Sequence, residues 1–415
     1  MRKSSMGALV AAGLLMGGLS AGSASAADLG GNCCADLEER IAELEATTAR
    51  KGNRKVSLTV SGWVGEQIMW WDNDATNYDE SNVYVGGLGT TLSSHFKLSG
   101  QATIAPGWYA GYVMHVEVIS GDSLTQDEST AVGPPLYDII QDPANPPSSG
   151  PGVQLLQSFW FIKSDRLGKV SLGLQSQASD NTAILVDGSG SLVPANWVAF
   201  DFRAFHLSDG TIYGAGSCGT MGGALGDCNG LTQDVVRYDS PTFGGFSVSA
   251  SWGADDMWDV AARYAGEHAG FKVAAAAAYT EVSAANYNNL GALDADYFQA
   301  GLYIQHVPTG VFGLVNYGKY DQVGLPETDT WYFKAGLRER WSHLGHTVLY
   351  GEYEMIDDAY GNVGGDFDLW GAGIVQEIDA AAMSMWLSYR NIEADNGVGG
   401  TGDFQYVKFG ALINF

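Results

Sequence analysis

Residues 235–253, VVRYDSPTFGGFSVSASWG, decide the fold because their second half alternates strictly between apolar and polar side chains. The two parities are Phe246, Val248, Ala250 and Trp252 against Ser247, Ser249 and Ser251. A side-chain period of two is typical of a β-strand with one apolar face and one polar face in contact with water. Before this strand, Pro241, Gly244 and Gly245 supply turn residues, because Pro has no N–H for a ladder and Gly allows positive φ. The stretch is therefore predicted to be a β-hairpin with a short turn.

The sequence of this hairpin resembles a hairpin of the general-diffusion porins of Gram-negative outer membranes, especially the alphaproteobacterial porin family. The resemblance implies an all-β fold, a transmembrane antiparallel β-barrel with a long loop folded into its bore. It also implies a homotrimer, surrounded by outer-membrane lipid and lipopolysaccharide, through which small hydrophilic solutes diffuse.

Residues 1–26 have the order of a secretory signal peptide: Arg2 and Lys3, a small apolar run, and Ala24-Ser25-Ala26 as a cleavage site. The apolar run is too short and too rich in glycine for a spanning helix of about 20 residues. A chain with 56 Gly, 12 Trp, 20 Tyr, 16 Phe and a mean hydropathy of −0.04 suits a barrel that alternates apolar and polar faces. The net charge of −26 argues against nucleic acid as a partner.

Residues 27–55 are predicted to be a short helical segment. Within it, Leu37, Ile41 and Leu44 recur at helical spacing, and basic residues follow the acidic ones, as the helix dipole prefers. The segment holds about two heptads, which is too short to form a stable helix alone in water. Two interpretations remain open: a small trimeric coiled coil in the periplasm, or a solvent-exposed tether.

Residues 56–415 are predicted to form the barrel domain. Seven short turns are expected at 105–107, 165–168, 240–245, 267–270, 308–310, 344–345 and 379–381. Eight longer polar connections are expected at about 72–93, 121–153, 178–231, 253–257, 282–293, 322–328, 357–365 and 394–402. These turns and connections separate 16 strands. An even number of strands returns both ends of the chain to the same side of the membrane, the periplasmic side.

The last predicted strand, DFQYVKFGALINF, ends the chain on an aromatic residue. Lys408, Gly410, Ile413 and Phe415 stand at the spacing of the carboxy-terminal signal that the outer-membrane assembly machinery reads. This resemblance implies that the assembly machinery is a partner and that the protein lies in the cell outer membrane. A soluble β-sandwich could share the alternation, but it has no reason to end on an aromatic carboxy terminus behind a signal peptide.

Parity also sorts the charged residues, because a lipid-facing Arg or Lys costs about 2–4 kcal/mol at the middle of the membrane. Eight basic residues are therefore predicted to line the pore: Lys97, Arg237, Arg263, Lys272, Lys334, Arg338, Arg390 and Lys408. The same parity sends further titratable residues inward: His115, Glu117, Asp239, Glu352 and Glu354.

The longest connection, 178–231, is rich in aromatic residues, which argues against disorder. We expect it to fold into the bore and to narrow it. Its acidic residues Asp180, Asp187 and Asp201 are predicted to face the basic wall across the opening, where opposed charges orient polar solutes. The excess of acidic residues in the whole chain predicts a weak preference for cations.

The four cysteines form two pairs in the sequence. Cys218 and Cys228 lie ten residues apart in a glycine-rich segment, and a disulfide is favoured over a metal site because no His lies between or beside them. Cys33 and Cys34 are vicinal; a cross-link between subunits is one interpretation, and their role stays open.

No catalytic residue, metal site or cofactor is predicted, since the chain has no phosphate loop, nucleophile elbow or zinc-type His spacing. The sequence therefore favours a passive, water-filled channel for small hydrophilic solutes and ions. One alternative is a channel selective for a sugar or phosphate, which would carry an ordered ladder of aromatic or basic residues along its bore. A less favoured alternative is a secreted all-β adhesin or enzyme.

Overall fold

The computed structural model describes residues 55–73, 80–88, 92–119, 152–198, 205–206, 212–213, 228, 232–253, 257–283, 294–359, 365–395 and 401–415. The predicted signal peptide, nearly all of the predicted helical segment and Cys33, Cys34, Asp201 and Cys218 lie outside these residues. Within the described ranges, no helix is long and apolar enough to cross a bilayer.

Nineteen strands are described, and all of their pairings are antiparallel. They are β1 (Thr59–Asn73), β2 (Glu80–Gly86), β3 (Ser94–Ala105), β4 (Trp108–Ile119), β5 (Gly152–Ser164), β6 (Gly168–Gln175), β7 (Phe205–His206), β8 (Ile212–Tyr213), β9 (Gln233–Asp239), β10 (Phe246–Gly253), β11 (Trp258–His268), β12 (Phe271–Val282), β13 (Ala295–His306), β14 (Val311–Gln322), β15 (Thr328–Glu339), β16 (Thr347–Asp357), β17 (Phe367–Ile378), β18 (Met383–Asp395) and β19 (Thr401–Asn414). A 3₁₀ turn, Ile184–Val186, follows β6.

The sheet closes into a barrel because β19 pairs with β1, from Trp63 opposite Asn414 to Asn73 opposite Phe404. On its other edge β1 pairs with β2 along its last residues and with β3 along its first residues. The strands β2 and β3 therefore share one position around the barrel, and β7 and β8 form a separate small pair. The barrel thus has the 16 antiparallel strand positions that the sequence predicted.

One predicted connection is wrong. Residues 72–93 were expected to be a loop, but they contain β2 and the end of β1. The interruption between β2 and β3 is held by side chains of neighbouring strands: Trp63 Nε1 donates to Leu92 O at 3.0 Å, and Ser94 Oγ lies 3.1 Å from both the N and the O of Gly65. At this interruption, hydrogen bonds from side chains replace those between strand backbones. Alternation of side chains alone therefore did not indicate β2.

The seven predicted short turns are confirmed, each lying between two consecutive strands. In the opening hairpin, Ser240 N donates to Val248 O at 2.9 Å, and Phe243 bridges to Phe246. Gly244 and Gly245 have φ of 58° and 90°, the left-handed region that glycine enters without a Cβ clash. For the other seven long connections, the predicted bounds lie within three residues of the ends of the strands of the barrel sheet on either side.

The two faces of the wall follow the predicted partition. In β10, Val248 and Trp252 are 53% and 58% exposed on the outside, whereas Ser249 and Ser251 are each 6% exposed inside. Outward aromatic residues gather toward both ends of the barrel: Trp70, Trp252, Trp258, Trp331 and Trp370 near the long connections, and Trp108, Phe243, Phe246, Phe271 and Phe415 near the short turns. Such girdles are typical of barrels that cross a membrane.

Candidate functional site

Residues 176–198, which we call the inner segment, lie inside the barrel and bond to inward-facing side chains of the wall. At the start of the segment, Ser179 N and Oγ both donate to Asp259 Oδ2 at 2.6 Å. Gln299 receives the N–H of Ala183 at 2.8 Å and donates to Ser179 O at 2.9 Å. Ser251, Asp259 and Gln299, on the inward parity of β10, β11 and β13, therefore satisfy backbone groups of a segment that has no ladder of its own.

The middle of the inner segment is joined to β15 by a buried ion pair. Lys334 Nζ lies 2.5 Å from Asp187 Oδ2, and the two side chains are 0% and 2% exposed. The same ammonium donates to Ala195 O at 2.7 Å. One lysine thus bonds to two points of the segment at once, and its charge is compensated within the protein.

The end of the inner segment is joined to β18 through Arg390. This guanidinium pairs with Glu352 at 2.8 Å and donates to Asn196 O at 2.5 Å and to Val198 O at 3.0 Å. Arg338, paired with Glu377 at 2.7 Å, lies against Gly190 in the middle of the inner segment. The planar fork of arginine suits this arrangement because it can bond a carboxylate and backbone carbonyls together.

The lumen stays open on the other side of the inner segment, as a cavity of about 710 Å³. We call it the lumenal cavity; its wall residues come from β1, β3 to β6 and β9 to β11. Its basic residues are Lys97, Lys163, Lys169, Arg237 and Arg263, and its acidic residues are Asp165, Asp180 and Asp239. With His95 and His115 neutral, five positive charges against three negative ones give the described part of this lining a charge of +2.

The eight predicted pore-lining bases divide into groups. Lys97, Arg237 and Arg263 line the lumenal cavity. Arg237 and Arg263 also donate to carbonyls of the inner segment, at Ser176 (2.9 Å) and Ala178 (2.5 Å) respectively. The other five lie outside the cavity lining: Lys334, Arg338 and Arg390 among the contacts already described, Lys272 near a short turn, and Lys408 with its Nζ 4.8 Å from the Tyr406 ring centre.

The structure describes two of the three predicted loop acids. Asp180 lines the lumenal cavity, and Asp187 faces one of the predicted wall bases, Lys334. Asp201 lies outside the described residues. Asp187 and Lys334 form a buried pair rather than facing each other across open water, because a carboxylate beside a buried ammonium is more stable in that pair than alone in an apolar surrounding.

The other inward-predicted residues do lie on the inside. His115, Glu117, Glu352 and Glu354 are at most 8% exposed, and Glu117 accepts a hydrogen bond from Gln154 at 2.9 Å. In the described ranges, no group of three or more His, Cys, Asp or Glu side chains could hold a metal ion. Cys228 is buried and disulfide-bonded, while Cys218, the partner that the sequence predicts, lies outside the described residues.

Two basic residues of the cavity, Lys163 and Lys169, were missed by the sequence prediction. Lys169 could have been found, because Val170 and Leu172 mark the outer parity of β6. Lys163 could not be assigned by parity, since β5 carries large apolar side chains on both faces: Phe159 and Phe161 inside, Trp160 and Ile162 outside.

A family model described as Gram-negative porin matches residues 8–411. The chain belongs to this porin family. Solved structures agree with the fold. The anion-selective porin from Comamonas acidovorans aligns with a TM-score of 0.56 at 15% identity, covering 87% of this chain and 100% of that one. OprB of Pseudomonas putida aligns with a TM-score of 0.56 at 12% identity, covering 92% of this chain and 97% of that one. A trimer form of OmpT from Vibrio cholerae aligns with a TM-score of 0.50 at 13% identity, covering 87% of this chain and 99% of that one.

A comparison with curated protein sequences gives no match. The family and the closed 16-stranded barrel together make this porin a passive diffusion channel of the Gram-negative outer membrane. Porins of this family are non-enzymatic channels.

Proposed function

We propose that this porin is a general-diffusion channel of the alphaproteobacterial type, narrowed by its inner segment. The supporting observation is that this segment bonds along its length to β10–β18, while the lumenal cavity of about 710 Å³ lies on its other side. Small hydrophilic solutes pass between the inner segment and the facing wall. Ser176 and Gln177, at the start of the segment, also bond to Gln157 of β5 and Arg237 of β9, whereas the bonds described for residues 178–198 go to β10–β18. The aperture is therefore set by the cavity-facing side of residues 178–198.

Conductance after thiol labelling tests this proposal. A cysteine at Leu192, which lines the lumenal cavity, is reacted with a bulky thiol reagent in planar bilayers. We expect single-channel conductance to fall by about half or more, as an added group fills a narrow opening. Leu325→Cys, in an exposed connection, is the matched control, and the wild type with its own cysteines is treated in parallel. Equal effects at both positions would contradict a constriction at the inner segment.

We propose further that the channel prefers anions, in place of the weak cation preference expected from the net charge. The balance of +2 in the described lining supports this, because ions in a narrow opening respond to nearby charges more than to distant ones. The Comamonas acidovorans porin is described as anion-selective, but the argument rests on the residues of this chain. The reversal potential in a potassium chloride gradient gives the sign; a cation preference would refute the proposal.

Homotrimer assembly is a third proposal. Glu66 lies on the outer face of β1 between Val64 and Ile68, which are 55% and 46% exposed. A carboxylate in the apolar band is more stable against a protein partner than against lipid. A cysteine at Val64 should therefore cross-link subunits, and one at Leu302, on the far side of the barrel, should not. Light scattering that gives a monomer mass would contradict the trimer.

Several further predictions from the sequence remain proposals. We propose that residues 1–26 direct export, that residues 27–55 form the helical segment below the barrel, and that Cys218 pairs with Cys228. Lys408, Gly410, Ile413 and Phe415 are proposed to form the assembly signal. Mass spectrometry of the exported protein tests the cleavage and the disulfide, and deletion of Phe415 tests assembly through the amount of folded barrel.

One observation favours the alternative of a substrate-selective channel. Along β5, Phe159, Phe161 and Lys163 follow one another on the inward parity and all line the lumenal cavity. A ladder of aromatic and basic residues was the feature that would distinguish such a channel. Conductance that saturates with solute concentration would support it, and linear conductance supports general diffusion.

A further inference from the structure

The inner segment has two chemically different faces. One face bonds to the β10–β18 wall, where Ser179, Asp187 and the carbonyl of Asn196 are bonded to side chains. The other face lines the lumenal cavity with the apolar side chains of Ile184, Leu185, Leu192 and Val198, and with the polar residues Ser176, Asp180, Asn181 and Asn196. Leu92, from the interruption between β2 and β3, lines the same cavity.

The wall across the cavity carries basic side chains in contact with solvent. Asp239 is shared by Lys169, at 3.1 Å, and by Arg237, at 2.7 Å. Lys169 and Arg237 are 16% and 14% exposed, so water in the lumen reaches both. Lys163 lies directly opposite Lys169 in the ladder between β5 and β6. Asp165, two residues after Lys163, lines the same cavity. Three cations against the two carboxylates leave this patch at +1.

Aromatic rings adjoin the positive patch. Phe159, Phe161 and Val113 form a small apolar cluster on the inside of β4 and β5. The Phe161 ring lies over Gly111, where an added Cβ would come within 2.2 Å of Cζ, so the ring lies against the backbone of β4. The Lys169 ammonium is 6.0 Å from the centre of the Phe159 ring. Apolar and cationic surfaces therefore alternate within one cavity.

We infer that the lumenal cavity is a binding subsite for small organic anions with an apolar body, such as short-chain aliphatic or aromatic carboxylates. This inference rests on the proposed function, since it names the solute class that the narrowed channel favours. A carboxylate gains from the patch of Lys163, Lys169 and Arg237. Its hydrocarbon part gains from leaving water against Leu185 and Leu192 of the inner segment. A polyhydroxylated anion of the same charge gains only the first of these.

Two six-carbon monovalent anions separate the contribution of charge from the contribution of hydrocarbon burial. Hexanoate has an apolar chain, whereas gluconate carries hydroxyl groups along its chain. Permeability relative to chloride is measured from reversal potentials in planar bilayers, and block of the chloride current is titrated with each anion. We expect hexanoate to block at a concentration about fivefold lower than gluconate, the ratio for one partly buried leucine contact. Equal block by the two anions in the wild type would overturn the inference.

Variants then assign the difference to residues. Leu185→Asn with Leu192→Asn should remove the advantage of hexanoate over gluconate, whereas Lys169→Gln should weaken block by both anions equally. Leu325→Asn, in the exposed connection, and Lys272→Gln, outside the cavity lining, are matched controls. Heat-modifiable migration confirms folding of each variant, and the single substitutions replace the double variant if it fails to assemble. An advantage of hexanoate that survives both asparagine substitutions contradicts the subsite, even where anion preference itself holds.

Discussion

Two lysine–aspartate pairs inside this barrel have similar chemistry and different surroundings. Lys334 and Asp187 are 2.5 Å apart and almost completely buried, at 0% and 2% exposure. Lys169 and Asp239 are 3.1 Å apart beside the lumenal cavity, at 16% and 22% exposure. The first pair joins the inner segment to the wall; the second contributes charge to the water in the lumen. The comparison shows that burial, more than residue type, divides the inward charges of a porin between structure and selectivity.

The largest expected effect comes from breaking the buried pair. Lys334→Met leaves Asp187 as an uncompensated charge and removes the bond to Ala195 O. Loss of one partner of a buried pair costs about 3–5 kcal/mol. We expect a clearly lower melting temperature in detergent, measured by circular dichroism, and unstable single-channel currents as the inner segment leaves the wall.

A double variant separates the charge from the contact. Lys334→Met combined with Asp187→Leu removes both charges together, and apolar replacement of a buried pair is often neutral in stability. We expect the melting temperature to recover most of its loss. If the single and double variants melt at the same temperature, the cost lies in lost packing rather than in the unpaired carboxylate.

The barrel itself could be predicted from local sequence because membrane strands obey one rule, apolar outside and polar inside. Val248 and Ser249 show the rule directly, with 53% and 6% exposure. The rule fails where both faces of a strand are apolar, as in β5, and where the ladder is interrupted, as between β2 and β3. In both places a neighbouring element, not the strand's own alternation, decides the arrangement.

The inward direction of the site residues could be predicted, but their partners could not. Parity placed Lys334, Arg390 and Arg237 inside. It carried no information on which wall the inner segment would touch, because contacts such as Arg390 with Asn196 O join residues 194 positions apart. For the same reason parity did not indicate which wall base Asp187 would meet, or that the pair with Lys334 would be buried.

The solvated pair should govern selectivity with little effect on stability. Lys169→Gln removes one positive charge from the lumenal cavity and leaves Asp239 paired with Arg237 at 2.7 Å. A unit charge about 7 Å from a permeating ion in water contributes about 0.6 kcal/mol, or about threefold in an equilibrium. Because the charge attracts chloride and repels potassium by the same energy, we expect the ratio of chloride to potassium permeability to fall about sevenfold, as measured from reversal potentials, at an unchanged melting temperature. A large loss of stability would instead place Lys169 with the buried group.

Salt should distinguish the two pairs by a smaller effect. The Debye length shortens from about 10 Å at 0.1 M to about 3 Å at 1 M, so the charge of Lys169 is screened in the lumen while that of Lys334 is not. We expect anion preference to weaken steadily over this range, with the melting temperature nearly constant. Selectivity that persists at 1 M would indicate that size and binding, rather than the field of the basic residues, set the preference.

The smallest effect is expected at a third pair, Lys319 with Glu327, beside the connection between β14 and β15. Its atoms are 2.6 Å apart, closer than those of Lys169 and Asp239, yet its side chains are 38% and 52% exposed. The short distance predicts that this ion pair contributes strongly to stability and selectivity. The exposure predicts a negligible contribution, because water screens the charges and both long side chains lose rotamer freedom. We expect Lys319→Gln to leave both the melting temperature and the reversal potential at wild-type values. A shift as large as that of Lys169→Gln would mean that proximity outweighs exposure, and the division between the pairs would then have to be drawn by distance instead.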